Sequence, residues 1–156
     1  MSGRLESAGR AAKDPTAPGG RSTLLIVAGL TLLGAFLRFY RIGNQSLWVD
    51  EIVTLNSVNV GAPLPLEQLL SNIQGPLHAA IVWLVSQVSL REEALRSISA
   101  VAGVATIPVV FALGRDLFDR RAGLLAALLF AVSPFSVWYA QEVRNYALLH
   151  GFAALG

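Results

Sequence analysis

The sequence predicts an all-α integral membrane protein: a multi-span helical bundle with juxtamembrane helices in its first outer loop. Three observations predict it. Of the 156 residues, 54% are hydrophobic and 14% charged; a soluble domain carries roughly 25% charged residues, so this chain has too few to coat a globular surface. The apolar residues gather in blocks approaching the ~20 residues an α-helix needs to cross a bilayer. Basic and acidic residues segregate between alternate connections. Cysteine is absent, which excludes disulfides, thiolate metal sites and cysteine nucleophiles. A formal charge of +2 is too small to argue for nucleic acid as a partner.

Residues 1–21 hold Arg4, Arg10, Lys13 and Arg21 among Pro15, Pro18 and Gly19-Gly20, the composition of a disordered basic tail. The first span follows at about 22–40. No small-x-small cleavage site comes after it, only Leu37-Arg38-Phe39-Tyr40, so the span is expected to stay uncleaved. Past Leu47-Trp48-Val49-Asp50-Glu51, a helix is expected over about 52–60, ended by the breaker Gly61-Ala62-Pro63-Leu64-Pro65. Leu64, Leu66, Leu69, Leu70 and Ile73 then recur at near-helical spacing, which suits an amphipathic helix over 64–73 lying in the interface. The apolar piece at 76–90 is short for a span, carries His78, Ser86, Gln87 and Ser89, and reads as a juxtamembrane helix.

Two clear spans come next. One covers about 94–113, with Arg96 near its start and Pro108 as a kink site. The other covers about 122–139, interrupted by Ser133-Pro134. A further apolar stretch opens at about 146 and is still running at Gly156, which reads as the front portion of a longer protein, a truncated bundle.

Charge sets the orientation. The tail has four basic residues and the 114–121 loop three arginines, whereas 41–93 has only Arg41 and Arg91 against Asp50, Glu51, Glu67, Glu92 and Glu93. The positive-inside rule puts tail and tight loop in the cytoplasm and the long acidic segment outside. That parity requires that 76–90 not cross. It also brings Glu142 to the same face as Asp50 and Glu51. The expected location is therefore an integral membrane protein, of a bacterial plasma membrane, with its site outside.

Asp50-Glu51 could be a solvated turn or a helix start. Tyr40 and Trp48 are interfacial anchors, however, and hold the two carboxylates at headgroup depth, where charge is costly and points to chemistry on a membrane-borne substrate. The second cluster runs from Trp138 to Tyr146. If helical, it places Tyr139, Glu142, Tyr146 and His150 on one face at spacings of three and four, with Arg144 pointing elsewhere. The competing reading is an aromatic belt with a surface charge pair.

In order and spacing, six pieces resemble the GT-C fold membrane glycosyltransferases of the protein O-mannosyltransferase and aminoarabinose-transferase kind. They are Trp48-Val49-Asp50-Glu51, Gly75-Pro76-Leu77, Leu95-Arg96-Ser97, the stretch from Leu113 to Ala122, Ser133-Pro134-Phe135, and Tyr139 to Tyr146. The resemblance covers nearly everything from Ser22 to Gly156. It implies transfer of a sugar from a polyprenyl-phosphate carrier to a lipid, glycan or protein acceptor on the non-cytoplasmic face, with inversion. It makes Asp50 the general base, with Glu51 orienting the acceptor or supporting Asp50. Arg96 and Arg144 become the cationic clamp on the departing lipid phosphate, with Glu142 and Tyr146 as further substrate contacts; snorkelling to headgroups is the plainer role for either arginine.

The chain departs from the family in two places. Many relatives carry His-Pro-Pro-Leu or Lys-Pro where this chain has Gln74-Gly75-Pro76-Leu77, so a basic residue for the phosphate is missing and His78, on another helical face, is a weak substitute. Some have an acid where His150 aligns; here Glu142 is the second acid, with His150 beside it. A magnesium or manganese ion between Asp50 and Glu142 stays open, because carboxylates with water suit both metals.

The alternatives are an ion-coupled transporter and a non-catalytic membrane protein. A transporter is expected to bury acids mid-span and to show a second, related half; no acid lies mid-span here. As a helper or remnant, these 156 residues alone are not expected to catalyse.

Overall fold

The computed structural model describes residues 20–63 and 65–155. The expected basic tail, apart from Gly20 and Arg21, lies outside the described residues, as do Leu64 and Gly156. Eight helices and no strands form among the described residues: α1 (Gly20–Phe39), α2 (Val49–Ser57), α3 (Leu66–Leu70), α4 (Pro76–Val88), α5 (Glu92–Leu117), α6 (Arg120–Val132), α7 (Pro134–Ala140) and α8 (Tyr146–Leu155). The fold is all-α. Two of these helices, α1 and α5, are long and apolar enough to cross a membrane, or three spans if the bent pair α6–α7 counts as one.

The longest helix, α5, is the centre of the bundle and packs against α1, α4, α6, α7 and α8. It reaches beyond the expected 94–113 at both ends. Glu92 and Glu93 occupy its first turn and Arg115 its last, each complementing the helix dipole. Its hairpin with α6 depends on two glycines: a Cβ on Gly114 would sit 2.9 Å from Gly123 Cα, and one on Gly123 would sit 2.6 Å from the Phe111 carbonyl oxygen. Backbones this close are the usual consequence of small residues at a membrane helix contact. At the corner, Asp119 caps α6 by accepting from the Ala122 N–H at 2.8 Å.

The expected single span over 122–139 is two helices meeting at 57°. Pro134 has no N–H to continue the ladder of α6, and it opens α7 instead, with Ser133 as cap. The carbonyls this frees are taken by a residue of α1. Arg38, fully buried, donates to Phe130 O at 3.2 Å, Ala131 O at 3.1 Å, Gly34 O at 3.1 Å and Ser136 Oγ at 2.7 Å. Its cation rests on the negative end of the α6 dipole. Gly103 makes room, since a Cβ there would meet Arg38 Nε and Ala140 Cβ at 2.9 Å each.

Hydrogen bonds sort the bundle into two ends. Arg120 Nη2 donates to Ser22 Oγ at 3.3 Å, joining the start of α1 to the α5–α6 corner. At the other end, Gln141 Nε2 donates to the carbonyls of Leu37, Arg38 and Tyr40 at 3.1–3.2 Å, capping the end of α1 with the residue after α7. Segment 40–48, α2, the start of α5 and segment 141–145 all meet there. With 13 residues, α4 is ~20 Å long, short of the ~30 Å hydrocarbon layer. Its packing on α2, α3 and α5 through Val58, Ala79, Val82, Leu95 and Val143 forms a small core beside that end.

Candidate functional site

The site is built around a buried ion pair. Helix α2 begins at Val49, so the acidic pair lies inside its first turn rather than ahead of a helix starting at Ile52. Glu51 is the third residue of that turn, and its Oε2 accepts from the Trp48 N–H at 3.0 Å, satisfying a donor that the helix start leaves open. The carboxylate also faces Arg96 of α5, which donates from Nε to Oε1 at 2.9 Å and from Nη2 to Oε2 at 2.7 Å. Arg96 uses its other N–H groups on the carbonyls of Ile42, Gln45 and Ser46, at 2.9, 2.7 and 3.2 Å. The Val143 N–H completes the set with Glu51 Oε1 at 2.9 Å. Both side chains are almost wholly enclosed, 1% and 3% exposed. Burial alone would push the Glu51 carboxyl up; the Arg96 hydrogen bond, then those of Trp48 and Val143, outweigh it and hold the group below the usual carboxylate value.

This clasp fixes the neighbours of Glu51 on either strand of the contact. Asp50 is open to solvent, its side chain 69% exposed, and is paired with Arg144 Nη1. The Arg144 guanidinium also lies 4.9 Å over the Tyr146 ring, while its buried Nε has no partner. Ser99 Oγ donates to the Arg144 carbonyl at 3.1 Å and Asn145 Nδ2 to the Gln74 carbonyl at 3.0 Å, tying the segment to α5 and to the turn before α4. On the other side, Glu142 Oε1 accepts from Trp138 Nε1 at 2.7 Å. Burial, followed by the negative charge of nearby Glu51, moves the Glu142 carboxyl above its usual value despite that bond. Trp48, Asp50, Glu51, Trp138 and Glu142 line a cavity of about 150 Å³, with the two indoles 6.5 Å apart.

The structure therefore brings Asp50, Glu51, Arg96, Glu142 and Arg144 to one end of the bundle, and gives them different positions. Arg96 has protein acceptors around its whole guanidinium, and Glu51 is enclosed by donors. Asp50 and Glu142 face the cavity. The expected common helical face of Tyr139, Glu142, Tyr146 and His150 does not form, because 141–145 is not helical. Tyr139 and Tyr146 do meet, edge to face at 4.6 Å, and His150 packs by Phe130 and Phe135, while Glu142 turns to Trp138. His78 is 2% exposed with neither ring nitrogen partnered. Burial, then the charge of Arg144, lowers it to about 4, so it is neutral at pH 7. Among the described residues no three His, Asp or Glu side chains are grouped to hold a metal. Sequence reasoning gave Arg38 no part in the site, and it held Gln141 and Trp138 only as members of the second cluster, without the bonds they make. An arginine four residues after a glycine within an apolar run was the available sign of the first.

Fold and site define an integral membrane protein of helices with a carboxylate-lined cavity at one end of its bundle. The sequence model of the dolichyl-phosphate-mannose-protein mannosyltransferases matches residues 73–155, more than half of the chain. The chain belongs to that family, and with it to the glycosyltransferases of GT-C type. No curated protein and no solved structure matches it. The matched stretch runs from the turn before α4 through α8; Asp50 and Glu51 precede it and are bound to it through Arg96, Val143 and Arg144.

Proposed function

We propose that the protein moves a sugar from a polyprenyl-phosphate carrier to an acceptor hydroxyl on the non-cytoplasmic side of the membrane. The observation that carries the reading is Asp50: a carboxylate open to the cavity and kept next to a cation, at one end of a glycosyltransferase bundle. Asp50 takes the proton of the acceptor hydroxyl as its oxygen bonds to the anomeric carbon. The bond from that carbon to the phosphate oxygen breaks on the opposite side, so the configuration inverts. The polyprenyl phosphate leaves carrying its charge, and the Arg144 guanidinium, paired with Asp50 of the cavity, is the cation that receives it.

Glu51 and Arg96 act as the brace that sets Asp50 against Arg144, in place of direct contact with acceptor and phosphate. Glu142 and Tyr146 frame the opening, Glu142 as a hydrogen-bonding partner for the sugar. A magnesium or manganese ion brought in with the phosphate would find Asp50 and Glu142 as its carboxylates. The outer location is supported by Arg115, Arg120 and Arg121, which lie at the end of the bundle away from Asp50.

The test is turnover by membranes carrying the full-length protein, supplied with polyprenyl-phosphate-linked mannose and a hydroxyl acceptor. Release of polyprenyl phosphate matched by glycosylated acceptor is expected. Binding of the donor with neither product would contradict the reading.

A further inference from the structure

The α5–α6 corner, at the end of the bundle away from Asp50, carries charge and apolar surface side by side. Leu117 ends α5 and Phe118 follows it, 66% and 79% exposed, and Phe118 is the most exposed aromatic side chain among the described residues. Arg115 precedes them, Arg120 and Arg121 open α6, and Arg21 stands at the start of α1, which Arg120 reaches through Ser22 Oγ. All four arginines are exposed. The close approach of Gly114 and Gly123 holds the α5 and α6 backbones together just behind the corner, so these side chains are presented on a fixed turn.

The acids of the corner are already engaged. Asp116 Oδ1 lies 2.8 Å from both Nε and Nη2 of Arg115, and Asp119 caps α6. Arg21, Arg120 and Arg121 have no acidic partner among the described residues. Nor do Arg120 and Arg121 serve the helix they open, since cations in a first turn oppose its dipole and no acid stands with them there. Each half of this surface excludes a different occupant. A neutral lipid would cover Leu117 and Phe118 and leave the arginines unanswered. A free phosphate or a nucleic acid would answer the arginines and leave two large apolar side chains in water. An acidic headgroup joined to acyl chains satisfies both, at the level where the spanning helix α1 begins and α5 ends.

From this juxtaposition we infer that the corner binds an anionic phospholipid, with the headgroup phosphate on Arg21, Arg120 and Arg121 and acyl chain against Leu117 and Phe118. The site is separate from the Asp50 cavity and stands whether or not the sugar-transfer reading does.

The experiment is native mass spectrometry of the full-length protein in detergent, titrated with dioleoyl phosphatidylglycerol or dioleoyl phosphatidylcholine. Phosphatidylglycerol is expected to bind wild type roughly 10- to 100-fold more tightly, the scale of two to three arginines. The double variant Arg120→Gln, Arg121→Gln should lose about fivefold of that preference per arginine. The double variant Arg41→Gln, Arg91→Gln, which removes the same charge at the opposite end, should keep it. Phe118→Ser should weaken both lipids alike. In lipid-free detergent the Arg120→Gln, Arg121→Gln protein should unfold at the wild-type temperature or above, because its first turn no longer opposes the dipole, which separates lost binding from lost fold. Equal binding of the two lipids would overturn the site. So would a preference that survives Arg120→Gln, Arg121→Gln or vanishes equally in Arg41→Gln, Arg91→Gln. Displacement of the lipid by millimolar inorganic phosphate, or a dimer that Phe118→Ser dissolves and phosphatidylglycerol does not, would give the corner to another occupant and contradict the inference.

Discussion

Glu51 of α2 and Arg96 of α5, forty-five residues apart, meet through two hydrogen bonds of 2.9 and 2.7 Å in a site almost closed to solvent. The pair gathers the loop after α1, the first turn of α2 and the segment after α7 onto one helix. An ion pair so enclosed gains little over an apolar pair of the same shape, but it is costly to break from one side.

Glu51→Gln and Arg96→Met should therefore each lose about 3–5 kcal/mol of stability. Arg96→Lys should not rescue it, since one ammonium cannot reproduce a fork that serves a carboxylate and three carbonyls. Thermal unfolding in detergent measures this. A transition unmoved in all three variants would show that the clasp is dispensable.

Gly103 and Gly29 offer a matched pair of helical glycines. A Cβ at Gly103 meets Arg38 and Ala140, whereas one at Gly29 meets nothing within 4 Å. Gly103→Ala should cost about 1–3 kcal/mol through overpacking. Gly29→Ala should be neutral or stabilising by up to ~1 kcal/mol. The same unfolding measurement separates them, and equal effects would contradict the placement of Arg38.

Acid should destabilise the fold through His78 before Glu51 takes its proton, while Glu142, held above its usual value, works in the opposite direction where it is protonated. An unfolded histidine takes its proton near 6.5, and the folded one waits until about 4. Between those values the unfolded chain binds more protons, so stability present above pH 6.5 falls as the pH drops towards 4. The loss is on the order of 3 kcal/mol across the window, at ~1.4 kcal/mol per unit. Glu51, held below its usual value, adds its own loss only at lower pH, as the folded carboxylate takes its proton. His78→Gln should flatten the pH 6.5–4 slope. An unchanged slope would mean that His78 is protonated or solvated in the folded protein.

Much of this was legible in the sequence because it is local. Apolar block length showed α1 and α5, the charge balance placed the acidic residues together at one end, and Asp50, Glu51, Arg96, Glu142 and Arg144 stood out as polar groups at the borders of apolar runs. What was not legible depends on partners far along the chain. Segment 141–145 follows a helical pattern on paper, but its backbone and side chains serve Glu51, Ser99 and the end of α1. The break at Ser133-Pro134 was visible. That α6 could end there inside the bundle was not, because the group that satisfies its carbonyls is Arg38, about ninety residues earlier. Charge alone did not separate the arginine enclosed with Glu51 from the one paired with exposed Asp50, since both sit near acids.

Arg144 is assigned the phosphate. Arg144→Gln should therefore raise the KM for the polyprenyl-phosphate sugar and lower kcat by about 10²-fold or more, the scale for removing one group that stabilises developing charge. Arg96→Lys, in whatever fraction folds, should leave that KM near its wild-type value. Steady-state kinetics with donor varied at saturating acceptor gives both numbers. The reverse pattern would move the phosphate to Arg96.

The most direct test of the account is sugar transfer by Asp50→Asn, measured beside donor binding in the same full-length preparation. The substitution keeps the shape of an exposed side chain and removes its basicity, so donor binding should persist while transfer falls by 10²-fold or more. Transfer at the wild-type rate would contradict the account at its centre and leave the role of base to Glu142, the other carboxylate facing the cavity.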